Sequence, residues 1–222
     1  MNIDTIEDLI GKVKIAPHPD NQSVIIHSIP DDFTLIGIGT DAVVVQHESQ
    51  PTRVFKVYTE NRIYKIENEY KVYQRLQPSP FFAQAFFRGD DYLCLSYEQG
   101  PTLYECLERG IIIPKQIVLE VEQARHYART QGLNPRDIHL KNVLLQNGHA
   151  KVIDVSEYLM PGDDLRWSHL VQGYELFYDL IKGRKIPSWM MEWVKKAYYH
   201  QLDENFSVLE FVKRMQQMIT FK

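Results

Sequence analysis

The chain has 222 residues, 44% hydrophobic and 24% charged, with 25 Lys and Arg against 29 Asp and Glu for a net charge of −4. That length bounds one compact protein burying roughly 70–75% of its unfolded surface, and the negative balance excludes a general nucleic-acid binder, which needs a basic field. The two cysteines, Cys94 and Cys106, lack metal-ligand spacing, no apolar run approaches a membrane span and no signal peptide opens the chain, so the expectation is a cytoplasmic protein with reduced thiols and no membrane partner.

In chain order, a short helix from Asp4 to about Lys12 precedes a turn at Pro17-His18-Pro19 and a strand over 23–28. Strands follow over 33–38, 42–47 and 52–58. The first two flank Gly37-Ile38-Gly39-Thr40-Asp41-Ala42, and glycines without Cβ let backbone N–H groups approach a phosphate chain. Lys56 sits in the β-rich run Arg53–Tyr58, where its ammonium can pair with phosphate oxygens. In the helix predicted over 61–76, Ile66, Glu69, Tyr70 and Tyr73 recur at helical spacing. That spacing turns Glu69 toward the strands, where its carboxylate would hold Lys56. Two more strands fall near 82–88 and 91–97, and Gly100-Pro101 marks a boundary.

Beyond it the pattern is mostly helical. Thr102 and Glu105 have capping-box spacing, and Pro114 opens a helix that Gly132 can end. The most informative stretch is Pro135-Arg136-Asp137-Ile138-His139-Leu140-Lys141-Asn142, then Val143-Leu144-Leu145, a turn at Gln146-Asn147-Gly148-His149, and Lys151-Val152-Ile153-Asp154. Asn-Gly is a strong two-residue hairpin signal, since a type I′ turn needs positive φ at both central positions. Folding the apolar runs back brings Asn142 and Asp154 to the open end of the hairpin, with Asp137 on the incoming loop. An Asp, an Asn and a second Asp converging this way suit a nucleophile and a hard, oxygen-liganded ion such as Mg²⁺. Leu165, Leu170, Val171, Tyr174, Phe177 and Ile181 make an apolar stripe, and a last helix is signed by Ser207 and Glu210 with Phe206 and Phe211 as a staple.

Each element also has a purely structural reading. Lys56 fits a strand-end lysine, Glu67 rivals Glu69, Asp137 fits a turn cap, Asn142 and Asp154 fit hairpin flanks, and His139 fits a hydrogen-bonded structural group. Order and spacing, taken jointly, favour the functional reading.

Those residues resemble a protein kinase domain of a small, divergent bacterial type, over roughly residues 33 to 181. The resemblance implies an α+β, bilobal fold with a small β-rich N-lobe (1–98) and a shortened helical C-lobe (99–222). It implies Gly37, Gly39 and Ala42 as the glycine-rich loop and Val44 as the valine covering the adenine. Val54 and Lys56 would be the third-strand pair, Glu69 the helix glutamate and Leu95 the gatekeeper. Ser96 and Tyr97 would be the hinge, with the adenine between the lobes. Asp137 would accept or orient the acceptor hydroxyl, and Asn142 and Asp154 would hold Mg²⁺. The implied activity is transfer of the γ-phosphoryl group of Mg-ATP to a hydroxyl, serine or threonine of a protein first.

The departures open alternatives. Pro135 replaces the histidine of the catalytic-loop triplet, and His139 stands where a lysine is usual. Asp-x-His-x-x-Asn is similar to aminoglycoside phosphotransferases, which suggests a small-molecule kinase. Asp154-Val155-Ser156 lacks the usual Phe and Gly, which suggests a pseudokinase or ATP-binding scaffold. No Ala-Pro-Glu closes an activation segment, and Asp164 arrives ten residues after Asp154. A segment that short is expected to carry no phosphorylation switch.

Overall fold

The computed structural model describes residues 3–202 and 206–220. The chain divides into two compact units. The first comprises Met1–Glu98 with Tyr127–Asn134 and Val155–Pro161, and the second comprises Gln99–His126, Pro135–Asp154 and Gly162–Lys222.

The first unit is built on a five-stranded antiparallel sheet. Its strands are β3 (Phe33–Ile38), β4 (Ala42–His47), β5 (Arg53–Tyr58), β6 (Ala85–Arg88) and β7 (Tyr92–Ser96), in the order β3-β4-β5-β7-β6. Alternation along the strands gives each face its own task. Val43, Val45, Phe55, Val57, Tyr92 and Cys94 form one buried cluster with Ile6 and Ile10 of helix α1 (Ile3–Ile10) and with Val13 and Val24. The hairpin of β1 (Lys14–Ala16) and β2 (Ile25–Ser28) adds Ile15 and Ile26 to it. Ile6 and Ile10 are one helical turn apart, so α1 lays one face on this cluster. The sequence signalled α1 as a helix but not what it covers. The opposite face carries Val44, Val54, Lys56 and Leu95, and helix α2 (Tyr64–Leu76) buries Ile66, Glu69, Val72, Tyr73 and Leu76.

The second unit holds α3 (Leu103–Arg109), most of α4 (Lys115–Thr130), the hairpin of β8 (Val143–Gln146) and β9 (His149–Val152), and α5 (Arg166–Ile181), α6 (Ser188–Gln201) and α7 (Val208–Thr220). The Thr102–Glu105 capping box forms in full, and Gly110 ends α3 in the left-handed region at φ 72°. Ser207 accepts a hydrogen bond from Glu210 N at 3.4 Å, and the Phe206 and Phe211 rings meet at 5.6 Å. The stripe along α5 requires correction. Its buried residues are Trp167 and Tyr178, whereas Leu165 and Ile181 are exposed and Leu165 precedes the helix at φ 55°. Tyrosine decides this face. Tyr174 Oη donates to Ile113 O at 2.9 Å, and Tyr178 Oη accepts from Ile113 N at 2.7 Å. An amphipathic ring satisfies buried backbone that leucine cannot. Among the described residues, no helix is long and apolar enough to cross a membrane.

Candidate active site

In the first unit the sheet register gathers the candidate residues. Gly37 lies opposite Val44, Val44 opposite Lys56, and Lys56 opposite Leu93. Val54 lies opposite Leu95. Directly opposed residues share a face, so Gly37, Val44, Val54, Lys56 and Leu95 form one surface. Lys56 Nζ donates to Glu69 Oε1 at 2.8 Å and to Oε2 at 3.0 Å, and Tyr58 Oη donates to Glu69 Oε2. Glu69 is fully buried, and 12% of the Lys56 side chain stays open. A buried carboxylate persists only when paired and hydrogen-bonded, and this one has both. Glu67, the rival, is half-exposed and pairs with Lys71 at 3.2 Å and Arg88 at 2.8 Å.

The glycine turn is tight. Gly39 N donates to Ala42 O at 2.9 Å, leaving Thr40 and Asp41 at the tip. Neither Gly37 nor Gly39 has positive φ, and a Cβ on Gly37 would meet only Val44 Cβ, at 3.9 Å. The fold itself therefore does not require glycine at 37. Its bare backbone leaves room for close approach of another group.

At the end of β7 the hinge expectation changes in detail. Ser96 N donates to Gln84 O at 2.8 Å and Tyr97 N to Thr52 O at 2.9 Å. Both N–H groups are committed to backbone partners, so these donors would have to exchange partners to meet an adenine.

In the second unit, Asn147 at φ 50° and Gly148 at φ 86° close the β8–β9 hairpin in the left-handed conformation that Asn-Gly favours. The register runs from Gln146↔His149 to Val143↔Val152, and Ile153 N donates to Asn142 O at 3.0 Å. Asn142 and Asp154 thus meet the open end from opposite strands. Glu120 of α4 fixes the hairpin by accepting from Ala150 N at 2.7 Å and contacting His149 Nδ1 at 2.8 Å. Gly100, at φ 148°, lies against the hairpin so closely that a Cβ would come 2.4 Å from Leu145 O.

The loop into the hairpin is held from within. Asn142 Nδ2 donates to Asp137 O at 3.0 Å. The amide nitrogen must face that carbonyl, which directs Asn142 Oδ1 elsewhere. Asp137 adopts φ 55°, a left-handed conformation Asp tolerates better than most residues, and its N–H donates to Asp164 Oδ2 at 2.7 Å. Arg166, at the start of α5, pairs with the Asp137 carboxylate. Lys141 N donates to His139 Nδ1 at 3.2 Å, so the neutral ring carries its proton on Nε2, 3.9 Å from Asp137 Oδ1. Burial of the ring, with Arg166 beside it, pushes the His139 pKa down to about 4.

Asn142 and Asp154 offer hard oxygens. Among the described residues no group of three or more His, Cys, Asp or Glu gathers as a cage. A donor pair completed by phosphate oxygens and water is an arrangement Mg²⁺ accepts, so the residues present fit that ion.

Over 171 residues the chain is 33% identical to "Putative serine/threonine-protein kinase YrzF" of Bacillus subtilis (strain 168), an alignment covering 76% of this chain and 80% of that protein. The chain belongs to the protein kinase family. This kinase is thus a phosphotransferase with an α+β, kinase-like fold. No protein-family model matches it. The crystal structure of a point mutant of the Mycobacterium tuberculosis PknI kinase domain matches at a TM-score of 0.47 with 19% identity, covering 70% of this chain and 75% of that one.

Three features of this kinase escaped the sequence. Arg166 contacts Asp137 across 29 positions of chain, and no local pattern announces such a pair. Asp164 was legible only as a helix-start carboxylate, yet it anchors the Asp137 backbone. Asp41, unremarkable in the glycine stretch, binds two cations. The short segment after Asp154 is also partly closed: Tyr158 is buried at 1% exposure, with its ring edge-on to Phe82 at 6.1 Å. A hydroxyl placed there is closed to a modifying enzyme.

Proposed function

We propose that this kinase transfers the γ-phosphoryl group of Mg-ATP to a hydroxyl, with serine or threonine of a protein as the favoured acceptor. The observation that carries the reading is the Lys56–Glu69 pair: a fully buried carboxylate holding an ammonium on the sheet face that also presents Gly37 and Val44. An ammonium fixed this way is ready to meet phosphate oxygens without being reorganised at the moment of reaction. Gly37 to Ala42 would cover the phosphates, while Val44, Val54 and Leu95 would line the adenine. Ser96 and Tyr97 would border it.

Asn142 and Asp154 would hold Mg²⁺, whose charge offsets that developing on the transferred group. Asp137 would orient the acceptor hydroxyl and take up its proton. The name of the Bacillus relative favours a protein acceptor. The Asp-x-His-x-x-Asn loop favours a small-molecule hydroxyl instead, because neutral His139 presents an N–H donor where a lysine would place a charge.

The test is labelled-ATP transfer measured in parallel on the protein itself, on generic protein acceptors, and on a panel of sugars and aminoglycosides. Asp154→Ala is expected to lose metal-dependent nucleotide binding, whereas Asp137→Asn keeps binding and loses turnover. Two variants that bind and turn over like wild type would remove the site from this hairpin.

A further inference from the structure

The tip of the glycine turn is held by more than its own backbone. Asp41 Oδ1 lies 2.9 Å from Arg62 Nε, and Asp41 Oδ2 lies 2.5 Å from Lys65 Nζ. Arg62 closes the short 3₁₀ turn Glu60–Arg62, and Lys65 is in the first turn of α2. The backbone joins the same junction, since Thr59 N donates to Asp41 O at 2.9 Å. Lys65 and Glu69 are four residues apart on α2 and so share a helix face. From that face Lys65 reaches the glycine turn and Glu69 reaches Lys56.

We infer that Asp41, gripped by Arg62 and Lys65, is a positioning residue for nucleotide binding, tying the tip of the glycine turn to the helix whose glutamate holds Lys56. The inference rests on the Mg-ATP reading above and adds the Asp41 carboxylate, Arg62 and Lys65, which that reading does not use.

A purely structural role accounts poorly for the arrangement. The turn is already closed by Gly39 N to Ala42 O and by Thr59 N to Asp41 O, neither of which needs the carboxylate. The three side chains are 22–30% exposed, and ion pairs at that exposure add little to fold stability. What the carboxylate does fix is where the tip sits relative to α2. A loop held in one place before its ligand arrives loses less conformational freedom on binding.

The experiment titrates a fluorescent ATP analogue with Mg²⁺ into wild type, Asp41→Ala, Asp41→Glu, Lys65→Ala, Lys65→Arg and the Asp41→Ala/Lys65→Ala double variant, with ATP hydrolysis as the turnover readout. Loss of the clamp is expected to weaken nucleotide binding about five- to tenfold, leaving turnover at saturating ATP within about threefold of wild type. Asp41→Glu and Lys65→Arg should recover most of the affinity, and the double variant should lose little more than Asp41→Ala, since that substitution already removes the Lys65 pair together with the Arg62 pair. The apoprotein melts of the alanine variants should stay within about 3 °C of wild type. Equal or tighter binding by Asp41→Ala and Lys65→Ala, with wild type binding normally, overturns the clamp and leaves the Mg-ATP reading standing. A folded wild type that binds no nucleotide overturns both.

Discussion

Two of the candidate carboxylates, Glu69 and Asp137, are held in opposite ways. Glu69 is fully buried, with both oxygens engaged by Lys56 and one also by Tyr58, so its side chain is part of the packing of the first unit. Asp137 is 24% exposed and sits at φ 55° on a loop, its backbone bound to Asp164 by the N–H and to Asn142 by the carbonyl, and its carboxylate paired with Arg166. A partly exposed carboxylate paired with an arginine suits a group that, on the proposed reading, meets an acceptor. Burying the carboxylate suits a group that only holds another residue. On the proposed reading, the same carboxylate chemistry is framework in one unit and reactive edge in the other.

The sharpest way to break that contrast is to remove each charge in turn. Asp137→Asn is expected to lower turnover by about 10²–10⁴-fold, the range for losing a positioned acid–base group. Its melting temperature should barely move, because the Arg166 pair is partly exposed. Glu69→Ala should do the reverse at the level of the fold. Deleting one partner of a buried pair costs about 3 kcal/mol, which for a chain of this size lowers the melting temperature by about 6–12 °C. Thermal melts and steady-state rates on both variants decide the matter. If Glu69→Ala melted like wild type while Asp137→Asn collapsed, the two roles would have been assigned backwards.

A smaller effect sharpens the same division between framework and ligand-facing surface among the glycines. Gly37→Ala should fold normally, since its Cβ meets only Val44 at 3.9 Å, yet weaken nucleotide binding about tenfold by occupying the close-approach surface. Gly100→Ala, which drives a Cβ to 2.4 Å from Leu145 O at φ 148°, should instead destabilise the protein. A Gly37→Ala protein that binds like wild type would show that the turn does not approach the phosphates.

The smallest effect is a pH dependence at His139. Its folded pKa, about 4, lies below the ordinary histidine value of 6.5. As pH falls through 6.5 the unfolded chain takes up a proton that the folded chain refuses, so stability is lost on the acid side. His139→Asn should therefore flatten the decline in melting temperature between pH 7 and 5. An identical slope in wild type and variant would mean the ring titrates normally in the fold.

What the sequence made legible was local. The Asn147-Gly148 turn, the Thr102–Glu105 box and the Ser207 cap each act within a few residues, so composition and spacing carry them. The Lys56–Glu69 pair spans thirteen positions and was legible because helical spacing turned Glu69 toward the strands and the resemblance to kinases named its partner. Contacts with no such frame stayed hidden. Arg166 on Asp137 and Lys65 on Asp41 join elements that only the folded chain brings together, and α1 covers a sheet face that strand alternation marks as apolar without saying by what. The α5 stripe misled for a different reason: hydropathy ranks Leu165 and Ile181 above Tyr178, but only a tyrosine both fills the space and bonds the backbone of Ile113.

The measurement that tests the central claim most directly is the thermal melt of wild type and Asp154→Ala, each with no addition, with ATP alone, and with Mg-ATP. A ligand binding only the folded state at a hundred times its dissociation constant adds about 2.7 kcal/mol, which at this chain length is a rise of about 5–10 °C. Wild type should show that rise with Mg-ATP and less of it without the metal, and Asp154→Ala should lose the part that depends on Mg²⁺. A well-folded wild type whose melt is unmoved by millimolar Mg-ATP would contradict the assignment of Mg-ATP phosphotransfer to this chain.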